Sequence, residues 1–288
     1  MSSTNNRGIW SEAGGSLALI AREGSSAPGT SEKFRNIGAT VVNDAGQTAF
    51  IGSLTTSTGS FFTNRGIWSE GGGSLALVAR DGMAAPGTGS RFFGFGNQTP
   101  VLNGVGQVAF QGFLLGFGTN SSDNSGIWST GRGSLALLAR AGNEAPGTDV
   151  DFASFARIMP VLNVANQTAF LGNLTGSDVN SNNDRGIWAE DLSGVLTLIA
   201  REGDLLDVDG GPGKDFRTIR SLTFVGNSGN EDGRRSGFNA LGQLAFGATF
   251  TDGTSGIFVS NLVAIPEPST LVFVGVSGVC LLLGRRRL

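Results

Sequence analysis

The groups in this chain able to move protons, bind anions or hold metal ions are chiefly carboxylates and guanidinium groups, with the ammonium groups of Lys33 and Lys214, because histidine is absent and Cys280 is the single cysteine. Without histidine the usual general base near neutral pH is missing, as are the Ser-His-Asp and Cys-His pairs and the commonest metal ligand. Cys280 lies in an apolar run, so the rest of the chain has no disulfide, thiol nucleophile or thiolate zinc site. These absences exclude most familiar hydrolytic mechanisms, and we expect no enzyme and no cofactor. Two segments are rich in oxygen ligands: Asp178, Asn180, Asn182 and Asp184 alternate in one, and Asp204, Asp207, Asp209 and Asp215 cluster in the next. Their types suit Ca²⁺. The first lacks the glycine expected after its third ligand, and no bidentate glutamate falls at the twelfth place, so a polar loop is the preferred reading and calcium the weaker one. Carboxylates for glycoside hydrolysis could sit in the same loops, but sequence does not fix their separation.

Arginine and tryptophan recur with the chain's period. Gly8-Ile9-Trp10 returns at Trp68, Trp128 and Trp188, spaced 58, 60 and 60 residues, and as Gly256-Ile257-Phe258. Each Trp is followed by an apolar run ending in Ala-Arg, at Arg22, Arg80, Arg140 and Arg201, and three of these runs continue to Ala-Pro-Gly-Thr at Ala27, Ala85 and Ala145. One arginine per repeat could ring an anion channel. Solvated strand ends, or pairing with Glu12, Glu70 and Glu190, explain the arginines with fewer assumptions. The tryptophans could stack on sugars, but a fixed place in every repeat favours core, so Trp10, Trp68, Trp128 and Trp188 are all expected to be buried.

A second signature lies between the tryptophans: Asn43 to Phe50, Asn103 to Phe110, Asn163 to Phe170 and Asn239 to Phe246. Asparagine first and glycine fourth fit a type I hairpin turn, with Gly46 free to take positive φ; in the third copy Asn166, the next best residue for that conformation, replaces the glycine. Val41-Val42, Gln47 to Leu54, Arg65 to Glu70 and Ser74 to Arg80 then read as four strands, the last with Leu75, Leu77 and Ala79 on one face and Ala76 and Val78 on the other. A sheet apolar on both faces must be covered on both. Tandem four-stranded units achieve this by packing face to face, so the expected fold is all-β, a β-propeller, with a β-solenoid as the alternative. The pair at Gly8 and Leu17 starts the chain in mid-unit, and closing on the last unit would give four or five blades. With 47 glycines, 15% charged residues and net charge −3, the body fits this class and lacks a basic surface for nucleic acid.

From Ile265 the composition changes: Pro266-Glu267-Pro268, then an apolar stretch from Leu271, Val272 and Phe273 to Leu281, Leu282 and Leu283, then Arg285, Arg286 and Arg287. The prolines suit an extended linker, the apolar stretch a short helix whose reach arginine snorkelling extends, and the basic cluster a cytoplasmic end. The chain thus divides into a repeat body (1–262), a linker (263–270) and an anchor helix with a basic tail (271–288).

The tail resembles the PEP-CTERM sorting signal of Gram-negative bacteria, with Pro266-Glu267-Pro268 as its processing motif. The resemblance implies export, transient anchoring in the inner membrane by 271–283, handling by an exosortase-type enzyme, and final residence in the cell envelope, at the surface or outside the cell. The body resembles tandem proteins named for an Asn-x-x-Gly-x-x-Ala-Phe repeat, which implies an architecture and no activity. Met1 to Glu12 lacks a basic start and an apolar core, so the sequence predicts a reading frame that extends upstream through a signal peptide. The function expected is a structural or interaction protein of the envelope or extracellular matrix. A glycan-binding module, with extracellular polysaccharide as partner, is the alternative, and a carboxylate-dependent propeller enzyme follows it.

Overall fold

The computed structural model describes residues 5–55, 64–96, 99–116, 118–155, 160–209, 213–226 and 236–264, and every regular element among them is a β-strand. The chain opens on a hairpin of β1 (Gly8–Ser11) and β2 (Ala18–Arg22). A full unit follows in β3 (Phe34–Val42), β4 (Thr48–Leu54), β5 (Arg65–Ser69) and β6 (Ala76–Arg80), whose neighbours along the sheet are also neighbours along the chain. The next unit repeats this order, with its first strand interrupted into β7 (Arg91–Phe95) and β8 (Val101–Leu102), both paired with β9 (Val108–Leu115), followed by β10 (Ser125–Ser129) and β11 (Ala136–Arg140). The following unit does the same with β12 (Asp151–Phe155), β13 (Val161–Leu162), β14 (Thr168–Thr175), β15 (Arg185–Glu190) and β16 (Leu196–Arg201). The last sheet holds β17 (Leu205–Asp207), β18 (Phe216–Phe224), β19 (Leu244–Phe250) and β20 (Ser255–Ser260).

All strand pairs are antiparallel and lie within a unit. This decides the architecture in favour of propeller blades. A solenoid stacks successive coils by hydrogen bonds between repeats, whereas these sheets meet face to face through side chains. The inner first strands converge: Val101 and Leu162 of consecutive blades meet in one small cluster with Ala109. At the same end, Asn43 Nδ2 donates to the Asn103 carbonyl (2.8 Å), Asn103 to that of Asn163 (2.9 Å), and Asn163 to that of Asn239 (2.9 Å).

The faces of each blade differ. Trp68, Phe50 and Phe34 turn back onto Ala21 of the preceding hairpin, while Ile67, Ala49, Ala79 and Val41 turn forward onto Trp128, Phe110 and Phe92. The same exchange follows one unit later, where Ile127 and Ala139 receive Trp188, Phe170 and Phe152. The expected alternation along β6 is corrected here. Ile67 pairs with Ala79 but Trp68 with Leu77, so Val78 is an extra residue in a bulge and places Leu77 on the face opposite Ala79.

Trp10 departs from expectation as well. Trp68, Trp128 and Trp188 are fully buried, but Trp10 is 51% exposed. It occupies the same register, opposite Leu19, and no other described sheet covers its ring. Among the described residues the first hairpin forms a two-stranded sheet of its own and pairs with no strand of the last blade, and β1 and β20 both carry the Gly-Ile-aromatic triplet of a third strand. The anchor helix expected at 271–288 and the linker at 265–270 lie outside the described residues. Among the described residues no helix is long and apolar enough to cross a membrane.

Candidate functional site

The repeated residues converge on the seams between blades. The Ala-Pro-Gly-Thr turn is held by its threonine, whose hydroxyl donates to the alanine carbonyl at Thr30, Thr88 and Thr148 (2.7 to 2.8 Å). The turn then caps the indole of the next blade: Trp68 Nε1 donates to the Pro28 carbonyl (3.0 Å), Trp128 Nε1 to Pro86 (3.1 Å) and Trp188 Nε1 to Pro146 (2.9 Å). Each indole meets the first-strand phenylalanine edge-on, with centroids 4.8 to 4.9 Å apart, and lies parallel to that of the Ala-Phe pair. Both donor and ring are therefore occupied within the fold, so these three tryptophans offer no sugar platform.

The Asn turn is equally saturated. In each copy the asparagine Oδ1 accepts the backbone N–H of the glutamine four residues on, and its Nδ2 donates to that glutamine's Oε1. The fourth position is left-handed throughout, with φ of 75° at Gly46, 85° at Gly106, 71° at Asn166 and 73° at Gly242. Gly106 has no room for a side chain, since a Cβ would stand 2.6 Å from the Gly71 backbone. Asn166 instead borders an open pocket of about 250 Å³ beside Arg132 and Asp191.

The arginine partners correct the sequence reading. Arg80 forms a two-pronged bridge to Glu32, both contacts 2.9 Å, and this bond holds the Glu32 carboxyl below the usual range. Arg140 reaches Asp123 (3.1 Å), and Arg201 donates to the Asn183 carbonyl (3.2 Å). The expected partners Glu70 and Glu190 turn inward: Glu70 Oε2 accepts from Thr48 N (3.1 Å) and Oγ1 (2.6 Å), and Glu190 Oε2 accepts from Thr168 N (3.0 Å). In the blade between them Thr130 Oγ1 accepts the matching N–H, from Val108, at 2.8 Å. Sequence reading also missed the residue after Ala-Arg. It is acidic and buried at Glu23, Asp81 and Glu202, and Ala141 fills the place in the third copy. Asp81 Oδ2 accepts from Arg65 N, Glu202 Oε1 from Leu222 N, and burial raises both carboxyls, that of Asp81 to about 6. An acid recurring after every Ala-Arg but one was the available signal. Burial likewise raises Glu190 and Asp204.

The calcium candidates form local turns. Asn180 Oδ1 accepts Asn182 N (3.1 Å), and Asn183 closes the loop onto Asn180 N and the Asp178 carbonyl. The preceding blade builds the same turn from Asn120, Ser122 and Asp123. Asp207 Oδ1 accepts Asp215 N at 3.3 Å, while Asp215 pairs with Arg217 at 2.6 Å. Among the described residues no group of three or more Asp or Glu is arranged to hold a metal ion. Pro266, Glu267 and Pro268, the apolar residues from Leu271 to Leu283, and Arg285 to Arg287 lie outside the described residues.

A family model matches the chain over residues 1–272, which include all of these seams. The chain belongs to DUF7453, a family of unknown function. No curated protein matches it by sequence. Two solved structures are similar at low identity. A Bifidobacterium bifidum s17 protein provisionally named an exo-beta-1,3-galactanase is 13% identical with TM-score 0.30, over 85% of this chain and 78% of its own. The periplasmic gluconolactonase PpgL of Pseudomonas aeruginosa is 16% identical with TM-score 0.27, over 88% of this chain and 65% of its own.

Proposed function

We propose that this DUF7453 chain is an exported scaffold of the cell envelope or extracellular matrix, a stiff row of blades that carries variable loops. The observation that carries the reading is where the repeated polar groups go. In the interior blades each invariant Trp donates to a proline carbonyl, and each seam asparagine from Asn43 to Asn163 donates to the next turn. A binding or catalytic array leaves its repeated groups facing a ligand; here they fasten one blade to the next, and sequence variation falls in the connecting loops.

Export rests on the tail, whose Pro266-Glu267-Pro268, apolar stretch and arginine cluster stand in the order of a sorting signal. An exosortase-type enzyme is the partner this reading requires, with transient residence in the inner membrane before release to the envelope or medium. To test it, the full chain is fused to a secretion leader and expressed in a Gram-negative host with an exosortase, and the exported form is weighed by intact-mass spectrometry. The tail should be missing from that form, and replacing Pro266-Glu267-Pro268 with alanine should keep the protein at the inner membrane. An exported form that retains Arg285 to Leu288 in both versions would sink the sorting assignment.

A further inference from the structure

The turn that begins three residues after each repeated Trp is small in two copies, Ala13-Gly14-Gly15 and Gly71-Gly72-Gly73. Two other turns break the pattern. Arg132, between β10 and β11, takes the place of Gly14 and Gly72, and Asp191, between β15 and β16, takes that of Ala13, Gly71 and Gly131. Asn166, between β13 and β14, replaces the glycine of the other Asn turns. These three departures come from three turns of two blades, and they line one pocket of about 250 Å³ with Gly131, Ala165 and Leu192. One blade earlier Arg132 and Asn166 are matched by Gly72 and Gly106, and the cavity there has Ala76, Val78 and Val108 in its wall and no charged side chain.

The polar groups of the pocket are held in place. Arg132 Nε pairs with Glu190 Oε1 at 3.3 Å, the acid side chain 1% and the arginine 40% exposed. The guanidinium lies against the Gly194 backbone, where any side chain would collide with it. Asp191 Oδ1 accepts from the Ser193 hydroxyl and from the backbone N–H groups of Ser193 and Val195. These bonds, led by the Ser193 hydroxyl, hold the carboxyl below its usual range and leave Oδ2 out of the turn. Asn166 bears two costs that glycine avoids, a left-handed φ of 71° and a buried Oδ1 without a partner. A costly residue beside two others that break the repeat, none of them needed for packing in the neighbouring copies, marks a binding site.

We propose that this pocket binds a neutral polyhydroxyl ring, a single sugar residue. The Arg132 Nη groups donate, Asp191 Oδ2 accepts, and adjacent sugar hydroxyls do both. Arg132 is already answered by Glu190 and Asp191 adds a second acid, so an anion is repelled, while the guanidinium repels a cation. The pocket is smaller than the roughly 300–1,000 Å³ clefts that take larger ligands, which limits its occupant to one ring, and Leu192 supplies an apolar wall. The site does not depend on how the chain is exported.

The test keeps the full chain in a polyoxyethylene detergent, which carries no sugar, and titrates it by NMR with the methyl glycosides of glucose, galactose, mannose and N-acetylglucosamine. Glycine and acetate serve as charged controls. At least one glycoside should bind with a Kd of about 1 mM or tighter, and neither control should displace it. Arg132→Gly and Asp191→Gly install the residues of the neighbouring turns, and each should weaken that glycoside about tenfold or more, the scale of a lost hydrogen bond to a charged group, with melting unchanged. If Arg132→Gly melts early, Arg132→Lys keeps the charge beside Glu190 while losing the planar fork, and should weaken binding in the same way. A wild type that binds none of the four glycosides overturns the proposal. So does binding undiminished in the variants, which would place the sugar elsewhere, and so does displacement by glycine or acetate, which would make the pocket a site for charged ligands.

Discussion

Trp10 and Trp128 sit in the same tripeptide, on the same strand of a blade, opposite a leucine in the same register, yet one is half exposed and the other fully buried. The difference lies in the neighbour. Trp128 has a preceding blade whose Ile67 and Ala79 cover its ring and a turn whose Pro86 carbonyl accepts its N–H; among the described residues Trp10 has neither. In a repeat protein the burial of a residue belongs to the seam, so an identical sequence can be core in one unit and surface in the next. Removing the ring should expose this contrast. Trp128→Ala should cost about 3–5 kcal/mol, the range for emptying a packed aromatic site, whereas Trp10→Ala should stay within about 1 kcal/mol. Chemical denaturation of both variants measures the gap. Equal losses would mean that the Trp10 ring is covered as well.

The interior seams hold a second contrast, between a blade with a buried acid and one without. Asp81 and Ala141 fill the same place after Ala-Arg, both buried, and burial pushes the Asp81 carboxyl up to about 6. The folded chain therefore holds the Asp81 proton more tightly than the unfolded one, for which the ordinary value is 3.8. Stability from this group is full below about pH 4 and lost as pH rises through about 6. Asp81→Asn keeps an oxygen to accept the Arg65 N–H and cannot ionise. Its stability relative to wild type should rise between pH 4 and pH 7 by up to about 3 kcal/mol, since a tenfold change in proton affinity is worth about 1.4 kcal/mol. Melting curves across that window check the slope; parallel curves would show that Asp81 is hydrated and ordinary.

The seams also mark where sequence reading succeeded. Tryptophan spacing and the Asn turn were legible because each rests on a local rule: a fixed period, and a positive φ that restricts the fourth residue. The bulge was not. Val78 lies in an apolar run where a strict alternation and a bulged one look alike, and the partner strand alone reveals which holds. The arginine partners escaped for a related reason. Glu32 lies 48 residues from Arg80, while the nearer Glu70 answers a backbone N–H of its own sheet. Residue type shows that a charge needs a partner, and packing chooses which.

The finest contrast lies within the Asn turns themselves. Asn166 takes φ of 71° where the other copies use glycine, and its Oδ1 is buried without a partner. Asn166→Gly removes both the side chain in a left-handed position and the unsatisfied oxygen, while the added freedom of glycine in the unfolded chain works against folding by about 0.5–1 kcal/mol. The two nearly offset, so the variant should gain less than about 1 kcal/mol. Asn166→Ala shares the loss of the oxygen but keeps a Cβ with no polar group to support the left-handed backbone, and should lose about 1–2 kcal/mol. Thermal melts of the pair measure the spread. If the glycine variant proves the less stable of the two, the turn is not held by its backbone angle, and Asn166 instead contributes through the pocket it borders with Arg132 and Asp191.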